Sequence, residues 1–102
     1  MTALIERHQA GIERLCRAFH VRRLDVFGSV IRDDFDPTRS DVDFLVEYDP
    51  AVGSPTLREY FTLRDALADL LGRPVDLVMA GAVRNRYISA DIEATRELVY
   101  AA

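Results

Sequence analysis

The sequence predicts one small α/β (α+β) domain, a small mixed sheet with helices mainly on one face. Two observations carry this. Segments with apolar residues at helical spacing alternate with short β-rich runs, and the order helix, strand, turn, strand, helix, strand, helix suits a layered sheet rather than a bundle. A third bounds it: 102 residues suit a single domain spanning 1–102.

The elements follow in order. Leu4, Ile5, His8, Ile12, Leu15, Cys16 and Phe19 recur at helical spacing, so the first helix runs from about Thr2 to Phe19. Val21–Phe27 reads as a strand that ends in a tight turn at Gly28. Val30–Asp34 reads as a short helical turn and Asp36–Ser40 as a loop. In Asp41–Tyr48, Val42, Phe44 and Val46 alternate with Asp41 and Asp43 before the run turns almost wholly apolar. This describes a mostly buried strand with one end open to a site.

Ser54 is the expected N-cap of the next helix, with Pro55 at its first position. Leu57, Tyr60, Phe61, Leu63, Leu67, Leu70 and Leu71 form its predicted buried stripe, and Gly72 and Pro74 end it. Pro74–Met79 is a third strand. Ala82–Arg96 is predicted helical with a break near Ser89, and Glu97–Tyr100 an edge strand. The second face of the sheet is expected to be thinly covered and to carry the carboxylates.

Composition narrows the function classes. No apolar run approaches the roughly 20 residues of a membrane span, and the N-terminus lacks the pattern of a secretory signal, so a cytoplasmic location is expected. Cys16 is the sole cysteine, which excludes an internal disulfide and a cysteine-rich zinc site, and its place on an apolar helix face predicts a buried, inert thiol. A net charge of −4 argues against stable nucleic-acid binding. Arg22 and Arg23 read as a solvated pair, and His8 and His20 as helix-face and turn residues. Arg84, Arg86 and Arg96 read either as an exposed helix face or as contacts for ATP or an acidic partner.

The acidic excess is local. Between Asp25 and Asp49 stand seven Asp and one Glu against two Arg. Such crowding calls for solvent or a cation. Asp41 and Asp43 share a strand face with Cα atoms about 7 Å apart. Asp76, on a predicted neighbouring strand about 4.8 Å away, can reach the same spot. Converging carboxylates suit hard divalent cations, and magnesium keeps coordination free for water and phosphate oxygens. Two such ions about 3.5–4 Å apart would neutralise a triphosphate and polarise an attacking hydroxyl. The Gly28 amide, the Ser29 amide and the Ser29 hydroxyl are placed to hold phosphate oxygens, with Arg32 adding charge. Taken singly, a Gly-Ser after a strand is ordinarily a turn and a D-x-D a solvated strand end. Their joint occurrence with Asp76 carries the functional reading. A calcium loop from Asp34 fails, because Arg39 stands where Gly is needed and Leu45 where Glu is needed.

These residues carry a resemblance. Phe27–Glu47, FGSVIRDDFDPTRSDVDFLVE, resembles the Gly-Ser…Asp-x-Asp motif of the nucleotidyltransferase superfamily that includes DNA polymerase β. Arg32, Phe35 and Ser40-Asp41 look like its minimal members, the MNT domain proteins, and Asp76 and Val99-Tyr100 extend the likeness over nearly the whole chain. The resemblance implies a minimal polymerase-β-like palm. It implies Gly28, Ser29, Arg32 and Ser40 as nucleotide-binding residues, and Asp41, Asp43 and Asp76 as catalytic ligands of two magnesium ions, with Asp76 helping to activate the incoming hydroxyl. It further implies an antitoxin that uses ATP to adenylylate a tyrosine of a HEPN-family ribonuclease toxin, with pyrophosphate released. The alternative is a noncatalytic antitoxin that neutralises by binding alone.

Overall fold

The computed structural model describes residues 3–28 and 41–102. The element order is α1 (Ala3–Arg7), α2 (Gln9–Ala18), β1 (Val21–Phe27), β2 (Val42–Tyr48), α3 (Leu57–Leu71), β3 (Val75–Met79), α4 (Arg86–Thr95) and β4 (Glu97–Ala101). The strands form a four-stranded sheet in the order β3-β2-β1-β4. β1 runs antiparallel to both β2 and β4, whereas β2 and β3 are parallel and joined through α3. The expected mixed α+β architecture is therefore present.

Strand alternation sorts the side chains. Leu24 and Val26 of β1, Val42, Phe44 and Val46 of β2, Leu77 of β3 and Val99 of β4 belong to one buried cluster. Ile5, Ile12 and Cys16 from α1–α2 and Leu63, Leu67 and Leu71 from α3 complete it. The odd-numbered positions of β2 face the other way. There Leu45 joins Phe27 and Ile92 in a second, smaller cluster against Val78 and Val83, covered by α4. Among the described residues no helix is long and apolar enough to cross a membrane.

Several local expectations need correction. The first helix is two, because His8 forms a turn in which its amide bonds to the carbonyl of Ile5, only three residues back. The N-cap of α3 is Thr56, not Ser54: its hydroxyl accepts from the Glu59 amide and the Glu59 carboxylate accepts from the Thr56 amide. This T-x-x-E capping box satisfies two donors reciprocally, which a Ser54 start would not. Of the predicted stripe, Leu63, Leu67 and Leu71 are buried, but Leu57 in the first turn is 76% exposed and Phe61 43%. The Arg64 guanidinium, 4.7 Å from the Phe61 ring centre, partly covers that ring. At the far end, Gly72 takes a φ of 67°, the left-handed cap expected of glycine. Finally, α4 starts only at Arg86 and is unbroken at Ser89, because the Asn85 side chain caps it by accepting from the amides of Tyr87 and Ile88.

Candidate active site

The site lies on the thinly covered face. In the parallel ladder Asp43 is the register partner of Asp76, and in the antiparallel ladder it is the partner of Phe27. Three adjacent strands thus bring the Asp43 and Asp76 carboxylates and the end of β1 together. A cleft of about 360 Å³ opens here, lined by Phe27, Asp43, Asp76, Val78, Tyr87, Ile88 and Asp91. Its floor is sheet and its wall is the first two turns of α4. Asp43 is half-buried and Asp76 exposed. Asp41 stands one residue before β2, exposed, and does not line this cleft.

Gly28 follows β1 directly and is buried. Its φ is +80°, and a methyl group added there would lie 2.5 Å from Asp43 Oδ2. Only glycine meets both demands, the left-handed backbone and the close approach to a carboxylate. The Gly28 amide has an acceptor within the protein. That amide donates to Thr95 Oγ1 at 2.9 Å, at the last residue of α4. Ser29, Arg32 and Ser40, the predicted short helical turn and the predicted loop lie outside the described residues.

The donor set suits a hard divalent cation: carboxylate oxygens that open into a cleft. Among the described residues no three His, Cys, Asp or Glu side chains form a ready-made metal cage. Magnesium does not require one, because it is ordinarily held by one or two carboxylates plus water and substrate phosphates.

A neighbouring ion-pair network escaped the sequence reading. Asp25, only 1% exposed, accepts from Arg23 Nε at 3.1 Å and from Arg96 Nε at 2.7 Å, and Arg96 Nη2 also bonds to it. Arg96 Nη1 reaches Glu93 at 2.9 Å. The hydrogen bond to Asp25 is foremost in raising the Arg96 pKa. Arg96 is therefore not a free cation on an exposed helix face, nor is Arg23 merely solvated. Arg22 likewise pairs with Glu47. The only sequence signal was a lone Asp between Leu24 and Val26 in an otherwise apolar strand core. Behind the sheet, Tyr60 donates to the Leu77 carbonyl. Burial first, and the Asp76 charge second, raise its pKa. Cys16 is buried as expected, and burial pushes its thiol up to about 12.

Residues 10–99 match the sequence profile of the nucleotidyltransferase domain. The chain belongs to this family. The chain is thus a nucleotidyltransferase, an enzyme that acts on a nucleotide. The nucleotidyltransferase is 40% identical over 82 residues to a Methanocaldococcus jannaschii protein named "Putative protein adenylyltransferase", which spans 80% of this chain and 78% of that one. Its fold is similar to a solved structure titled as a putative minimal nucleotidyltransferase, at a TM-score of 0.72 and 28% identity, covering 90% of this chain and 89% of that one. It is also similar, at a TM-score of 0.67 and 18% identity, to a chain in a complex of tri-AMPylated Shewanella oneidensis HEPN toxin with MNT antitoxin. That match covers 96% of this chain and 73% of the other.

Proposed function

We infer that this nucleotidyltransferase is a magnesium-dependent protein adenylyltransferase that transfers AMP from ATP to a hydroxyl of a HEPN-family toxin, a tyrosine, and so neutralises it. The observation that carries this reading is the register pairing of Asp43 with Asp76 beside Gly28, in a chain 40% identical to a protein named for adenylyl transfer. The MNT–HEPN complex of the same fold supports the choice of partner.

In this reading Asp43 and Asp76 in the cleft, joined by Asp41 from the entry to β2, would hold two magnesium ions, and Gly28, Ser29, Arg32 and Ser40 would surround the triphosphate. The ions would supply charge neutralisation and a more acidic acceptor hydroxyl. The acceptor oxygen attacks the α-phosphorus, the bond from that phosphorus to the bridging oxygen breaks, and pyrophosphate leaves. The acceptor proton passes to Asp76, which faces the cleft from the sheet edge. The cleft is open at Tyr87 and Ile88, 77% and 47% exposed, so a protein surface has room to bring a side chain in.

The test is incubation of the purified protein with α-labelled ATP, magnesium and a co-encoded HEPN protein, read by intact mass. A gain of one or more adenylyl units on the partner, absent from the Asp41→Asn/Asp43→Asn double variant, is the expected result. A stable, neutralised complex without mass gain would instead establish the noncatalytic antitoxin.

A further inference from the structure

The end of α4 is fastened to the end of β1 at two points, and one of them touches the site. Arg96 is bound to the buried Asp25. One residue earlier, Thr95 Oγ1 accepts the Gly28 amide at 2.9 Å and donates to the Asp91 carbonyl at 2.7 Å. The second bond commits the hydroxyl proton to the helix, which leaves a lone pair aimed at Gly28. Gly28 in turn lies against the Asp43 carboxylate, so closely that an added methyl would sit 2.5 Å from Oδ2.

We propose that Thr95 is a positioning residue: its hydroxyl anchors the Gly28 turn, and the anchored turn fixes the Asp43 carboxylate for metal and nucleotide. Gly28 has no side chain to restrain it and holds a φ of +80°, so its orientation depends on where its amide is bonded. Without an acceptor the buried amide must find water or rotate, and rotation at this glycine displaces the backbone that lies against Asp43 Oδ2. Arg96 keeps Thr95 itself from drifting, because the helix end cannot lift while Asp25 holds the guanidinium. A displacement of about 1 Å at a reacting centre is enough to cost a hundredfold in rate.

The inference rests on the carboxylate site of the proposed function, but its test separates the two. Thr95→Val keeps the side-chain shape and removes the acceptor; Thr95→Ser keeps the acceptor. The Gly28 amide, followed by hydrogen exchange in NMR, is expected to be protected in the wild type and in Thr95→Ser and to exchange faster in Thr95→Val. Manganese affinity, read from paramagnetic broadening of the Asp43 and Asp76 signals, should weaken only in Thr95→Val. In the transfer assay kcat should fall on the order of tenfold to a hundredfold, with the KM for ATP moving far less. Thr95→Ala serves the same comparison if valine unfolds the chain. An unprotected Gly28 amide in the wild type, or wild-type manganese affinity in the valine and alanine variants, overturns the proposal. A wild type that transfers nothing to any acceptor removes the adenylyltransferase reading, while the exchange and manganese measurements still decide the role of Thr95.

Discussion

The two faces of the sheet are built on opposite terms. One is sealed by α1, α2 and α3 over a continuous apolar cluster in which Ile5, Ile12, Leu24, Phe44, Leu63 and Leu67 have no exposed surface. The other, among the described residues, has one helix, a cluster of three buried apolar residues and an open cleft with carboxylates. Both faces come from the same strands by alternation: Val42, Phe44 and Val46 go to the first face and Asp43 and Leu45 to the second. The first face supplies the burial that holds the fold. The second carries groups that repel one another, and the fold tolerates them because water, or a cation, reaches them.

Substitutions that affect one face and spare the other test this division. The largest effect is expected from Asp43→Asn, which should lower nucleotidyl transfer on the order of 10²- to 10³-fold, the scale for losing one group that stabilises transition-state charge. Far-UV circular dichroism should stay unchanged. On the sealed face, Leu67→Ala should cost about 2–5 kcal/mol in urea unfolding through cavity formation, with transfer per folded molecule retained. A third comparison uses alkaline pH. The thiol of Cys16 is raised from 9.0 to about 12 when folded, so stability is fully present below pH 9 and is lost as pH rises from 9 towards 12, where the unfolded chain ionises first. Tyr48, raised from 10.0 to about 12 by burial foremost, adds to the upper part of that window. Urea midpoints from pH 8 to 11 should fall less in Cys16→Ala than in the wild type. The smallest effect belongs to the surface: Thr56→Ala should cost about 1 kcal/mol through the lost capping box, measured by the shift in Tm, with no change in transfer.

What was legible in the sequence was whatever depends on local pattern. β1 and β2 could be placed because Val21–Phe27 is β-rich up to a turn-forming glycine and the run to Tyr48 alternates before turning apolar, and Asp43 and Asp76 fall into register because both lie near the start of parallel strands. Gly72 ended its helix as glycine should. The failures are of two kinds. At α3 two caps competed, and the reciprocal Thr56–Glu59 pair outweighed the Ser-Pro signal. At the site, Thr95 and Arg96 act on residues 67 and 71 positions away. No local pattern marks a threonine at a helix end as the acceptor for a distant glycine, and an arginine in a basic stretch looks solvent-exposed until its buried partner is known.

The parallel pairing of β2 with β3 also bears on how the chain matures. Asp43 and Asp76 are adjacent in space yet separated by the whole of α3, so they meet only after a long-range closure that hairpin formation cannot supply. β1 and β2 can pair while the rest of the chain is still being synthesised; the two carboxylates cannot. A growing polypeptide therefore holds no partial version of this cleft, and the capacity for chemistry waits until β3 has docked and α4, which follows it, has closed the wall.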